Sequence, residues 1–297
     1  MKFAGRTTSF HSETRYAVDM TPAGANFAIT TPPADAPQTA LVFASPHSGT
    51  LYPEDMGAAE GLSQASLRSA EDAAVDRLLA ASGAAGAVLI AGRIGRAYVD
   101  LNRAPDDLDP VLIVDCPDGP PPGLKTLAGY GVVPRLAGDG TPLYGRRLTL
   151  AEARRRIARV HAPYHAALAE QMQAAREGRG RAVLIDWHSM PARATGPNGP
   201  DVVLGDRYGT ACATGLTRRL RALFEALGWR VALNRPYAGG YATQIWGRPD
   251  EGFEAVQIEL NRRLYWDETA NAPSVGWGRC QSGLNRVIAA LGEDFAA

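Results

Sequence analysis

The sequence predicts an α/β protein, a three-layer α/β/α sandwich around a mixed, mostly parallel central sheet. Three observations carry this. Short aliphatic and β-branched runs recur along the chain and end in Pro, Gly or Ser, as the buried strands of such a sheet do. Longer stretches with apolar residues at helical spacing lie between them. At 297 residues the chain is long enough to bury a large core, and the alternation places helices on both faces of one sheet.

Residues 1–37, rich in Thr, Ala and Pro, read as an irregular arm packed on the domain, with an edge strand or hairpin. The single catalytic domain is expected over 38–297. Its first strand is 40–45, followed by a helix over about 63–81 with Leu67, Val75, Leu78 and Leu79 on its apolar face. A strand at 87–91 follows the Gly83–Gly86 break. A third apolar run, Ala97-Tyr98-Val99-Asp100-Leu101, leads into Asn102-Arg103. Residues 104–143 are dense in Pro, Gly and Asp and read as an excursion over the active-site face, since structureless stretches of that length are usually functional or mobile. A long helix is expected over about 150–177, with Ile157, Val160, Tyr164, Leu168 and Met172 on one side. Then come a strand at 182–186, a helix over about 210–227, strands near 230–233 and 255–260, and a closing helix over about 276–291.

Lys plus Arg and Asp plus Glu both total 31, so no net charge favours nucleic acid or an anionic membrane. An acidic ligand would need arginines placed locally. Cys116, Cys212 and Cys280 form no CxxC pair and no disulfide framework, which fits a reducing compartment. The N-terminal stretch has no apolar core of signal-peptide length, and Leu78–Ala91 is too short to span a bilayer. The expectation is a cytoplasmic protein, monomeric or homodimeric, with neither nucleic-acid nor membrane partners.

Two of the five histidines occupy matching positions. His47 follows the run Leu41–Ala44 in Ser45-Pro46-His47-Ser48-Gly49, and His188 follows Ala182–Ile185 in Asp186-Trp187-His188-Ser189. Ligands of open α/β sheets collect beyond the carboxyl ends of the strands, so both imidazoles are expected at that rim. Two neutral imidazoles converging there suit a divalent transition metal, most often zinc. A third ligand should be a carboxylate from Glu71, Asp72 or Asp76; on a continuous helix Asp72 and Asp76 share a face, with Glu71 about a quarter-turn away. His161 and His165 have the i, i+4 spacing of a helical metal site but lack the Glu of HExxH, so packing explains them better. His11 lies in the arm.

Arg103 presents a planar fork suited to a carboxylate, and Arg96 is placed to serve the same pocket. Glu259 interrupts the apolar run Ala255–Leu260. Burial there would raise its pKa toward that of a general base, whereas an edge strand would leave Gln257 and Glu259 facing water. Ser48 and Ser189, each next to a histidine, raise a serine-hydrolase alternative, but no GxSxG elbow is present.

Taken in order, these segments resemble the N-formylglutamate amidohydrolases. The match includes Ser45–Gly49, Glu71-Asp72 to Val75-Asp76, Val99–Arg103 and Asp186–Ser189. It continues through Pro142–Tyr144, Pro163–His165, Gly239–Tyr241 to Gly247–Pro249, Gln257–Leu260 and Tyr265–Glu268, over about 40–270. The resemblance implies a zinc-carboxypeptidase-like, phosphorylase/hydrolase-like fold. It also implies zinc-dependent hydrolysis of N-formyl-L-glutamate to formate and L-glutamate, a step of histidine degradation, with one Zn2+ per chain and a small anionic N-acyl amino acid as partner. His47 and His188 would be zinc ligands and Asp72 the carboxylate ligand, with Glu71 as the alternative because Thr50 stands where the carboxypeptidase-like Glu is expected. Asn102 and Arg103 would grip a substrate carboxylate, and Glu259 would be the catalytic base. Asp186 would hold an imidazole tautomer, while Arg96, Tyr241 and Arg248 would serve the rest of the substrate or the oxyanion. Two departures stand out: Asp72-Ala73-Ala74-Val75-Asp76 replaces Asp-Trp-His-Val-Asp, and Gln244 stands where the family carries Arg. The second opens the alternative of another N-acyl amino acid or small peptide as substrate; a non-catalytic ligand-binding relative is a separate alternative, but such a relative would be expected to lose Glu259 or a ligand, and all remain.

Overall fold

A computed structural model describes residues 26–118 and 121–296. His11 and the arm up to residue 25 lie outside the described residues. Seven strands form the central sheet: β1 (Phe27–Thr30), β2 (Leu41–Ser45), β3 (Val88–Gly92), β4 (Ala182–Met190), β5 (Val202–Gly205), β6 (Val231–Leu233) and β7 (Phe253–Asn261). Their order is β1-β3-β2-β4-β7-β5-β6. The centre, β3-β2-β4-β7, is parallel throughout, β1 closes one edge antiparallel, and β5 joins β7 antiparallel with β6 parallel to β5. The sheet is therefore mixed and mostly parallel, as expected. A short β8–β9 pair (Trp266–Asp267 and Ala272–Pro273) stands apart.

Strands covered on both faces need apolar residues at every position, and β2, β4 and β7 are buried from end to end. Strand alternation sorts their side chains into two cores. Val42, Ala44, Ile90, Leu184 and Ala255 meet Val160, Leu168 and Met172 on one face. Leu41, Phe43, Ile185, Val256 and Ile258 meet Leu220, Phe224, Leu284 and Leu291 on the other. Two helical layers thus enclose the sheet.

The helices are α1 (Gln64–Arg68), α2 (Val75–Leu78), α3 (Leu124–Leu127), α4 (Leu150–Arg156), α5 (Ala162–Arg179), α6 (Thr214–Glu225), α7 (Tyr241–Trp246) and α8 (Trp277–Phe295). A capping box between Thr149 and Glu152 starts α4. One wide π turn, Ile157–His161, joins α4 to α5, so the long helix expected over 150–177 is present with a bulge. Pro163 accounts for it: proline has no N–H and its ring crowds the carbonyl four residues back. That carbonyl, of Arg159, accepts instead from Asn26 Nδ2 (2.6 Å). No helix among the described residues is long and apolar enough to cross a membrane.

Three sequence expectations need correction. The helix over 63–81 is two short ones, because residues 69–74 leave helical geometry and Ala74 takes a left-handed φ of 53°. Apolar spacing was satisfied by burial without a continuous helix, so the argument that Asp72 and Asp76 share a helix face does not hold. Residues 97–101 are a buried turn rather than a strand, with the Asp100 N–H donating to the Val132 carbonyl (2.8 Å). Strand β5 gave too short a run to stand out, while β4 and β7 extend well past the aliphatic stretches that announce them.

Candidate active site

The site lies at the carboxyl ends of β2, β4 and β7, where each inward stripe changes from apolar to polar. On β4, Ala182 and Leu184 belong to one core, and the next positions on that face are Asp186 and His188. On β7, Phe253 and Ala255 are followed by Gln257 and Glu259. Parallel pairing sets Asp186 beside Gln257 and His188 beside Glu259. His47 arrives two residues beyond β2 on a turn that passes so close to Arg93 and Ile94 that only glycine fits at Gly49.

His47 Nδ1 lies 3.1 Å from His188 Nδ1, and Asp72 Oδ2 lies 2.9 Å from the latter and 3.4 Å from the former. All three residues are buried. A carboxylate stands behind each ring. His47 Nε2 is 2.7 Å from Asp100 Oδ1, and His188 Nε2 is 3.0 Å from Asp186 Oδ2. His188 Nε2 also lies 3.2 Å from Asn102 Nδ2, and Asp186 is fully buried with no hydrogen-bond partner for either carboxylate oxygen among the described residues, so Asp186 faces His188 as a charge. The two Nδ1 atoms and an Asp72 oxygen thus face one another inside the site. Two imidazole nitrogens and a carboxylate oxygen this close together make His47, Asp72 and His188 a group able to hold a metal ion, which would take the place of a proton between them.

The charges around this group reinforce each other. Burial works against an ionised Asp100, yet Arg96 and His47 hold it well below the usual carboxylate range. Asp72 is likewise depressed, its desolvation outweighed by the two histidines. His188 is raised well above an ordinary histidine because Asp186 and Asp72 overcome its burial. Arg262, just past β7, donates Nε to Ser189 Oγ (3.1 Å) and places Nη2 3.5 Å from Asp72 Oδ1. Glu259 behaves differently. Burial, aided by Asp72 and opposed by His188 and Arg96, pushes it up to about 7. Gln257 Nε2 donates to Glu259 Oε1 (2.8 Å) and fixes its carboxyl.

Asn102 links several walls of the site. Its Oδ1 accepts from the Ala242 N–H (3.1 Å), and its Nδ2 lies 3.4 Å from Gln257 Oε1. Gly240 passes against this amide where no Cβ would fit. Arg103 donates Nε to the Tyr130 carbonyl (2.9 Å) and Nη1 to the Asn102 carbonyl (2.8 Å), and it faces a cavity of about 440 Å³. His47, Asp72, Arg96, Asn102, His188 and Glu259 line the same cavity.

Other expected residues lie elsewhere. Glu71 is held by Tyr52 Oη (2.8 Å) and Arg68 Nε (3.0 Å), outside the histidine group. Tyr241 does not line the cavity; as the first residue of α7 it packs on His161 and His165. Arg248 does not line it either, because it pairs with Glu251 over the Phe253 ring. Gln244 is exposed and outside the cavity wall. Ser48 Oγ is engaged with Ser45 Oγ and Ser189 Oγ with Arg262, so among the described residues neither serine has a histidine base. His161 and His165 are packing residues whose Nε2 atoms lie 2.8 Å from the carbonyls of Arg103 and Leu101, on either side of Asn102. Sequence reasoning missed Arg262, Lys125, Arg193 and Tyr237, all of which line the cavity. Only Arg262 carried a signal, as a basic residue directly after the Glu259 strand.

The fold brings two imidazoles and a carboxylate that could hold a metal ion to its strand ends, beside a buried high-pKa glutamate, an arrangement suited to a hydrolase. The chain belongs to the N-formylglutamate amidohydrolase family, whose sequence pattern matches residues 39–266. It is 33% identical over 238 residues to the N-formylglutamate deformylase of Pseudomonas aeruginosa, spanning 77% of this chain and 83% of that protein. The Pseudomonas putida N-formylglutamate deformylase is also 33% identical, over 62% of this chain and 66% of its own length. Among solved structures, the N-formylglutamate amidohydrolase of Ralstonia eutropha JMP134 superposes with a TM-score of 0.84 at 37% identity, covering 91% of this chain and 98% of that one. The Agrobacterium tumefaciens gene product Atu2144 shares the fold, with a TM-score of 0.57 at 20% identity over 92% and 95% of the two chains.

Proposed function

We propose that this protein hydrolyses N-formyl-L-glutamate to formate and L-glutamate, using a zinc ion held by His47, Asp72 and His188. The observation that carries the reading is the convergence of His47 Nδ1, His188 Nδ1 and Asp72 Oδ2 on one point, with both outer ring nitrogens turned to carboxylates. Zinc at such a site supplies Lewis acidity that polarises the formyl carbonyl and makes water ionisable near neutral pH.

The chain's own residues do the rest. Glu259 Oε accepts the proton of the attacking water as its oxygen adds to the formyl carbon, then returns a proton to the amide nitrogen as the C–N bond breaks. A base with a pKa of about 7 suits both steps, since it is neither too weak to accept nor too strong to release. Arg103 is placed to bind the α-carboxylate and orient the formyl group, with Asn102 beside it. Arg96, anchored by its Nε to Asp100 Oδ2 (2.9 Å), faces the same cavity and supports the developing oxyanion. Asp100 and Asp186 hold the two rings in the ligating tautomer. The free cysteines support a cytoplasmic setting.

Formate release from N-formyl-L-glutamate, measured on zinc-loaded and chelator-stripped protein, tests the proposal. Metal-dependent formate release is expected; equal activity in both preparations would refute it.

A further inference from the structure

The chain has no net charge, yet its cavity is lined by five cations: Arg96, Arg103, Lys125, Arg193 and Arg262. Arg96 pairs with Asp100, and Arg262 with Asp72 and Glu268. Among the described residues, no carboxylate stands at ion-pair distance from Arg103, Lys125 or Arg193. Arg103 reaches the cavity from the loop that also carries Asp100 and Asn102. Lys125 and Arg193 are exposed at the mouth, one on α3 within the Pro/Gly-rich 104–143 excursion and the other just beyond β4. The two walls are tied together, because Arg193 Nη2 donates to the carbonyl of Gly138 in that excursion (2.7 Å). Desolvation, then the Arg103 and Arg96 guanidiniums, hold the Lys125 ammonium below the ordinary lysine range. The lysine therefore feels the same electropositive field that a substrate would meet.

We infer that Lys125 and Arg193 form the subsite for the substrate's second, side-chain carboxylate, and that the 104–143 excursion exists to bring Lys125 there. This rests on the function proposed above. A glutamate derivative carries two carboxylates separated by two methylenes. With Arg103 engaged by the α-carboxylate, the side-chain carboxylate needs a further unpaired cation, and these two line the same cavity. Position 244 lies outside the cavity wall, so Gln244 does not take this task. Both groups are solvated, so each contributes a modest preference that salt weakens.

The test compares N-formyl-L-glutamate with N-formyl-L-glutamine, which differs only in a neutral side-chain terminus, across wild type, K125M, R193Q and R193K. Wild type should favour the glutamate substrate. K125M and R193Q should each reduce that preference roughly tenfold, mainly through KM, and 0.5 M salt should reduce it in wild type. R193K keeps the charge and should keep the preference. R193Q can still donate to the Gly138 carbonyl, so a role confined to that tie predicts no change there. Wild-type preference in both K125M and R193Q, or none in wild type, overturns the assignment. If wild type cleaves neither substrate, the proposed function fails, and calorimetric binding of L-glutamate against L-glutamine decides the subsite. Weaker glutamate binding in K125M and R193Q upholds it, and unchanged binding overturns it.

Discussion

His188 and Glu259 stand side by side on neighbouring parallel strands, β4 and β7. One ring offers its Nδ1 to the metal-binding group while the carboxyl beside it stays above the usual acid range. Strand pairing thereby fixes the proposed ligand and the proposed base at one spacing, independently of any loop.

Glu259→Gln should therefore bind metal as wild type does and lose about 10²–10⁴-fold in kcat, the usual share of a general acid–base group. Metal content and formate release on the same sample check this. Wild-type turnover in this variant would remove Glu259 from the chemistry.

The pH profile should carry the same signature. An acid whose pKa is raised to about 7 is protonated below that pH and cannot accept a proton there. Activity should rise with pH through about 7 rather than through the ordinary glutamate range near 4.5. Initial rates between pH 5 and 9 at saturating metal show which limb is present.

Asp100→Asn should weaken metal binding by roughly 10–100-fold without unfolding the protein, because it loosens the ring it orients rather than a ligand. The amide can still bond to His47 Nε2 but no longer demands the ligating tautomer. Competitive titration with a chelating dye measures the loss.

Two neighbours on α4 offer a check on stability. Thr149→Ala removes half of the capping box and should cost about 0.5–2 kcal/mol in denaturant unfolding. Glu152 is held at about 2, chiefly by its hydrogen bond from Arg146. Its contribution is complete above its ordinary value of 4.5 and fades as pH falls from there toward 2. Glu152→Gln should flatten that part of the stability profile, read by thermal melts at pH 3 and pH 6.

The layer order and most strands could be read from the chain because buried parallel strands leave uninterrupted apolar runs, as Leu41–Phe43 and Ala182–Ile185 do. His47 and His188 were legible for the same reason, since each ends such a run. What could not be read was the path between elements. Residues 69–74 look helical because Leu67 and Val75 are spaced to be buried, but the Asp72 N–H is taken by the His47 carbonyl (2.9 Å), a contact between distant segments. Tyr98 and Val99 resemble a strand because a buried turn needs the same apolar residues. Lys125 and Arg193 were invisible as site residues, because long-range packing alone turns an ordinary surface cation into a cavity wall.

Crystals grown with zinc, with anomalous scattering recorded at its absorption edge, test the central claim most directly. We predict one strong peak about 2.0–2.2 Å from His47 Nδ1, His188 Nδ1 and an oxygen of Asp72. A map with no peak between the two rings, or with zinc bound through their Nε2 atoms, would contradict the account.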